Sequence, residues 1–198
     1  MKVLNLLKRV LITSCLFLEE RTYKPNGITV EKRGIPSPGM SPYSNAEIRS
    51  IEDNNRTKFN TTNQIAVWAF FADGASASNY GSAVVLGTAY RNTSFVIYEE
   101  TIKNLSNSAF EPNRTVPETT VINHEFGHLL GLTNLGAPLQ SNHEDAEHAK
   151  HCNVETCLMF GLQKQDRVST ILLVLAKHHN WTPSVLPIYK QMEVNNSN

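Results

Sequence analysis

Hydrophobic residues in the first half of the chain recur in patterns that predict one helix followed by three strands. Ser44 and Glu47 form a capping-box pattern with apolar residues following at helical intervals, so a helix is predicted over 44–58. Compact apolar runs with β-branched and aromatic residues predict strands over 64–71, 83–90 and 94–98. Gly87 lies inside the second run, where a glycine marks a bulge or a close approach of another group.

A second helical pattern begins at about residue 116. Pro117 suits the first helical turn, Glu118 favours the positive end of the helix, and Gly131 provides a stop signal. Apolar residues on its flanks predict that this helix is substantially buried. The polar segment 103–116 before it is predicted to be a loop, and apolar residues at helical spacing over 166–179 predict a C-terminal helix.

The buried helix carries His124, Glu125 and His128. Residues four apart on a helix stand one above the other, so the two imidazoles can hold a single metal ion between them. Glu125 follows the first histidine directly and therefore falls beside the metal, where a carboxylate can act as general base towards a metal-activated water. The sequence thus predicts two metal ligands and a base on one helix.

The motif continues to a glycine and then departs from a known pattern. His124-Glu125-x-x-His128-x-x-Gly131 resembles the metzincin zinc peptidases, whose pattern adds a third histidine and, later in the chain, a methionine turn. In this chain Asn134, a poor zinc ligand, stands in the place of that third histidine.

A later string supplies a candidate for the missing ligand. His151-Cys152 followed by Cys157-x-Met159 is similar to the segment that provides the third ligand and the methionine turn in the archaemetzincin branch. On that resemblance His151 is the third ligand and Met159 is the turn methionine, and residues 135–150 are an insertion before the ligand.

The resemblance implies a fold and an activity. The expected fold is α+β, a metzincin-like zincin domain over 44–182 in which a twisted mixed sheet packs on the active-site helix and a C-terminal helix closes the domain. The expected activity is that of a zinc metalloendopeptidase with one catalytic Zn²⁺ on His124, His128 and His151. Glu125 would be the general base, and the substrate a peptide or a protein.

Several alternatives stay open at the level of the sequence. His143 and His148 lie inside the insertion and could replace His151, and Glu147 or Glu155 as third ligand would suggest a thermolysin-like arrangement. An alternative function is a non-catalytic zinc-binding surface module, in which the insertion closes the fourth coordination position. A histidine-rich metal scavenger would bind more than one ion per chain.

Length and charge exclude few of these alternative functions. A chain of 198 residues fits one catalytic domain with tails, here 183–198 at the C-terminus. Lys plus Arg and Asp plus Glu each number 18, which gives no basic excess to suggest nucleic acid as a partner. No apolar run reaches the roughly 18 residues that would span a bilayer.

Residues 21–43 are rich in Pro and Gly and are predicted to be a linker or surface arm.

Residues 1–20 are similar to a bacterial lipoprotein signal. Basic residues precede a short apolar run that ends in Ile12-Thr13-Ser14-Cys15, which matches a lipobox. The expectation is an exported protein, extracellular or in the bacterial cell envelope, with a lipid anchor at Cys15. The alternative is a fragment of a core helix from a longer or differently started chain. In an exported chain Cys152 and Cys157 are expected to form a disulfide, and in a cytosolic chain they are ordinary thiols.

Overall fold

A computed structural model describes residues 2–106, 114–136, 138–139 and 141–161 of the chain. Within these residues the protein is a small mixed α+β unit with four helices and one three-stranded mixed sheet. The elements follow in the order α1 (Lys2–Glu19), α2 (Asn45–Asn55), β1 (Trp68–Ala72), β2 (Gly87–Arg91), β3 (Ser94–Tyr98), α3 (Glu99–Leu105) and α4 (Thr115–Leu129). The predicted α+β class is confirmed by this combination of helices and a mixed sheet.

Strand β3 is the centre of the sheet. The strand order is β1-β3-β2, with β1 parallel and β2 antiparallel to β3. All five residues of β3 are buried, which explains why the apolar residues 95–98 follow one another without alternating with polar ones. Strands β2 and β3 form a hairpin, and a register irregularity between Ala89 and Arg91 lies at its turn end. The two edges of the sheet are therefore β1 and β2.

Helix α2 begins as predicted and ends earlier. The Ser44 hydroxyl accepts from the Glu47 backbone N–H, and the Glu47 carboxylate accepts from the Ser44 backbone N–H at 2.7 Å, so the capping box is present. The helix ends at Asn55 because Arg56 adopts an extended backbone, with φ −67° and ψ 129°. The Arg56 side chain then turns inward and pairs with the buried carboxylate of Glu52 at 2.7 Å.

Helix α4 packs on the sheet and on α1. The Phe126 ring meets the Phe95 ring edge-on, with centroids 5.0 Å apart, and Val10 of α1 shares that core cluster. Phe17, on the next turns of α1, packs in a second cluster with Met159. Residues 2–19 thus form a helix that packs one face on the core. None of the described helices has the length and apolar character needed to cross a bilayer. Export and lipid attachment at Cys15 stay predictions.

The segment after β3 differs from its prediction. Residues 103–116 were expected to be a loop, but α3 extends to Leu105 and α4 begins at Thr115. The physical reason is the apolar face of α3, where Ile102 and Leu105 enter the main core cluster. The predicted C-terminal helix over 166–179 lies outside the described residues. The metzincin fold itself stays a prediction.

Candidate metal centre

The first two histidines of the motif stand one turn apart on α4. Their Nε2 atoms are 3.1 Å apart, and their ring centroids are 4.7 Å apart. Two nitrogens bound to one tetrahedral zinc ion, each at about 2.0–2.1 Å, lie about 3.3 Å from each other. The spacing between His124 and His128 is therefore close to the spacing that a shared metal ion requires.

His151 is the third imidazole of the group. Its ring centroid lies 5.2 Å from that of His124 and 5.1 Å from that of His128. One ligand nitrogen from each of the three residues lies within 4.8 Å of the others. Among the described residues this is the one group of three or more His, Cys, Asp or Glu side chains with such geometry, and it could hold a metal ion.

Backbone hydrogen bonds hold the loop that carries His151. The His151 carbonyl accepts from the Asp145 N–H at 2.8 Å, and the Cys152 N–H donates to the Met159 carbonyl at 2.7 Å. The Thr133 hydroxyl, just beyond α4, donates to the Lys150 carbonyl. The loop is thus tied both to itself and to the segment that leaves the helix.

Hydrogen bonds to backbone carbonyls orient two of the three rings. His124 Nδ1 lies 2.8 Å from the Leu158 carbonyl oxygen, and His151 Nδ1 lies 3.2 Å from that of Ala149. A carbonyl can only accept, so each Nδ1 donates its proton and each Nε2 carries a lone pair. Metal-binding histidines show the same arrangement, in which the second nitrogen donates to a carbonyl or a carboxylate. The donor set therefore fits a metal ion.

Burial keeps two of the three imidazoles neutral. Desolvation lowers the pKa of His128 to about 4, with smaller contributions from His151 and Lys150. Desolvation also lowers the pKa of His151 below its usual value. Neutral imidazole is the form that binds zinc, so these two side chains are ready to act as ligands at ordinary pH.

Glu125 lies between α4 and the edge strand β2. The residue is 4% exposed, and burial raises the pKa of its carboxyl group to about 8, against a hydrogen bond from the Ala89 backbone that lowers it. The Oε2 atom has no hydrogen-bond partner among the described residues. A buried carboxyl group with one unpaired oxygen is costly, and such groups are concentrated at functional sites.

Met159 packs directly under the histidine-bearing turns of α4. It is buried, and a Cβ atom placed on Gly127 would lie 2.3 Å from its sulfur. Only glycine leaves room for the sulfur at this position. Sequence reasoning did not single out Gly127, although a glycine inside a helix destabilises it by about 1 kcal/mol relative to alanine and so signals a packing requirement.

The chain turns back sharply after α4. Gly131 has φ +78°, in the left-handed region that glycine adopts readily, as its stop signal predicted. Thr133 and Asn134 also have positive φ values. The Asn134 amide donates to Glu144 Oε2 at 3.1 Å, so its side chain is engaged outside the histidine group.

The alternative ligands in the insertion point to other partners. His148 Nδ1 pairs with Asp145 Oδ2 at 2.8 Å, and neither His148 nor His143 belongs to the histidine group. Glu147 and Glu155 are exposed and do not join the histidine group. Of the candidates for the third position, the structure therefore brings only His151 to His124 and His128.

Cys152 and Cys157 are buried free thiols, and the disulfide expected for an exported chain is not formed in this structure. They share a hydrogen bond, which lowers the pKa of Cys152 to about 6 and raises that of Cys157 above its usual range. The pair lies in the same core cluster as Met159. Its packing helps to define the loop that begins at His151.

Comparison of the chain with protein-family models, with curated proteins and with solved structures finds no match. The chemistry of the site therefore follows from the geometry of its three imidazoles. Three imidazole nitrogens grouped in this way can bind a tetrahedral ion and leave its fourth position for water or substrate.

Proposed function

We propose that the protein is a zinc-dependent metallopeptidase. The observation that carries the proposal is the grouping of His124, His128 and His151 within reach of one ion, with Glu125 next to the first of them. Three histidines are a donor set that catalytic zinc sites use, whereas structural sites are closed by four protein ligands. Within the described residues, no fourth His, Cys, Asp or Glu joins this group.

The proposed reaction is hydrolysis of a peptide bond. When bound, the zinc ion supplies a Lewis acid that polarises the scissile carbonyl and makes water a better nucleophile at neutral pH. Glu125 accepts the proton of the attacking water and passes it to the leaving amine. Its burial supports this role, since a carboxylate shielded from bulk solvent holds and releases a proton within the site.

The proposed substrate is an extended segment of a peptide or protein. Strand β2 is an edge of the sheet, and its Gly87 lies against the Glu125 side chain. An edge strand can pair with an extended peptide through backbone hydrogen bonds. A peptide held along β2 would therefore lie close to the general base.

A Glu125→Gln variant tests the proposal. Glutamine keeps the shape of the side chain but cannot accept the proton at neutral pH, so we expect unchanged zinc content and loss of cleavage of a mixed peptide library. Cleavage that persists in the variant would remove Glu125 as the base. Absence of cleavage in the wild type as well, with one zinc ion bound, would overturn the peptidase and favour the non-catalytic zinc-binding module.

A further inference from the structure

The outer edge of β2 faces Glu125. The Tyr98 backbone N–H donates to the Leu86 carbonyl oxygen at 2.9 Å. In the β2–β3 ladder, Gly87 pairs with Ile97 and Ala89 pairs with Phe95. Successive residues of an antiparallel strand direct their backbone groups alternately towards and away from the neighbouring strand. Since Leu86 bonds to β3, the backbone N–H groups of Gly87 and Ala89 point away from β3, towards the open edge.

The Glu125 side chain lies against the backbone of Gly87. A Cβ atom built on Gly87 would be 2.6 Å from Glu125 Oε1, 2.9 Å from its Cγ and 3.0 Å from its Cδ. Contacts this short do not occur between real atoms, so a side chain at position 87 would displace the carboxyl group. Only glycine at position 87 therefore leaves room for the Glu125 carboxyl group in its observed position.

Ala89 supplies the second contact. Its N–H points to the open edge, on the side where Glu125 lies, and its interaction with the Glu125 carboxyl group lowers the pKa of that group. A glutamate side chain has three rotatable bonds, so its carboxyl group takes one position only when neighbouring atoms fix it. Here Gly87 provides the space and the Ala89 N–H provides the hydrogen-bond donor.

We propose that Gly87 and the Ala89 N–H form a backbone cradle that positions the Glu125 carboxyl group for proton transfer. Both are positioning residues, and their role in catalysis rests on the peptidase function proposed above. The cradle ties the base to β2 as well as to α4.

A Gly87→Ala variant tests the cradle, with Gly34→Ala as a matched control. Gly34 has no heavy atom within 4 Å of an added Cβ. We expect Gly87→Ala to bind one zinc ion with unchanged affinity and to keep its KM, while kcat falls on the order of 10²-fold, as for a catalytic group displaced by about 1 Å. Gly34→Ala should leave zinc binding, kcat and KM unchanged. Unchanged kcat in Gly87→Ala, or loss of zinc together with activity, would overturn the proposal.

A double-mutant cycle in chemical denaturation tests the contact without any peptidase assay. Gly87→Ala should lower the denaturation midpoint in the wild-type background but not in a Glu125→Ala background, where the displaced side chain is gone. An equal loss in both backgrounds would overturn the contact. If the wild type cleaves no peptide but the cycle shows coupling, the peptidase proposal fails while the cradle contact is upheld.

Discussion

Arg56 is expected to contribute strongly to the stability of the fold. Its side chain is 7% exposed and pairs with Glu52, whose side chain is 1% exposed. The guanidinium also donates to the Ser94 hydroxyl at 3.0 Å and to the Ala66 carbonyl at 2.7 Å. Through these contacts Arg56 joins the end of α2 to the segment before β1 and to the first residue of β3.

The expected cost of Arg56→Met follows from what remains around Glu52. Removal of one partner of a buried ion pair costs about 3–5 kcal/mol. Glu52 keeps a hydrogen bond from Ser94 at 2.6 Å and an ion pair with Arg91 at 3.2 Å, so we expect the lower end. A loss of about 3 kcal/mol at this chain length lowers the melting temperature by about 6–12 °C.

Urea denaturation in the presence of a chelator measures this effect without a contribution from bound metal. Arg91→Met is the matched control because its side chain is 35% exposed against 7% for Arg56, and because it shares its charge with Asp53, which is 60% exposed. We therefore expect it to cost less than Arg56→Met. Replacement of both Glu52 and Arg56 by Met should recover much of the loss, since no charge is then left buried and unpaired. The reasoning is refuted if Arg56→Met and Arg91→Met cost the same.

Three further changes probe the metal centre and the start of α4. Chelation should lower the melting temperature by about 5–11 °C relative to protein in zinc at 100 times its dissociation constant, and an unchanged temperature would argue against a metal that binds the folded state. Gly127→Ala places a Cβ 2.3 Å from the Met159 sulfur and should weaken zinc binding in a chelator competition, with recovery in Gly127→Ala/Met159→Ala. Burial, and then the Glu99 charge, raises the pKa of Glu118 from 4.5 to about 7. The stability linked to its proton is therefore complete below pH 4.5 and is lost as the pH rises through about 7. Glu118→Gln should flatten the dependence of urea stability on pH across this window, and a variant with the wild-type slope would contradict it.

The elements that sequence reasoning located well are those with strong local signals. Strand β3 has the predicted bounds because all five of its residues are buried, so its sequence does not alternate between polar and apolar positions. The start of α2 followed from a capping box that involves Ser44 and Glu47 alone. The spacing of His124 and His128 likewise needs only one turn of helix to bring the two rings together.

The third imidazole could not be located by local signals. His143, His148 and His151 lie in one irregular segment of similar composition, and periodicity does not distinguish between them. Two hydrogen bonds decide which of the three rings faces α4. The Asp145 N–H donates to the His151 carbonyl, and the Thr133 hydroxyl donates to the Lys150 carbonyl. Only the resemblance of the later Cys and Met pattern favoured His151 from the sequence.

Close packing was the other feature that the sequence could not specify. Gly87 was expected to mark a bulge or a close approach, but its partner, Glu125, lies on another element and could not be named. Gly127 was overlooked because its partner, Met159, is distant along the chain. Helix α3 was missed because a helix of seven residues with polar neighbours gives too few apolar positions to show a period.

X-ray absorption at the zinc edge, on protein loaded with one equivalent of zinc, tests the central claim most directly. We expect three imidazole nitrogens and one oxygen donor at about 2.0–2.1 Å, with one imidazole lost in His151→Ala and none lost in His143→Ala. Only two imidazoles in the wild type, a sulfur at about 2.3 Å, or four protein donors around the ion would contradict it.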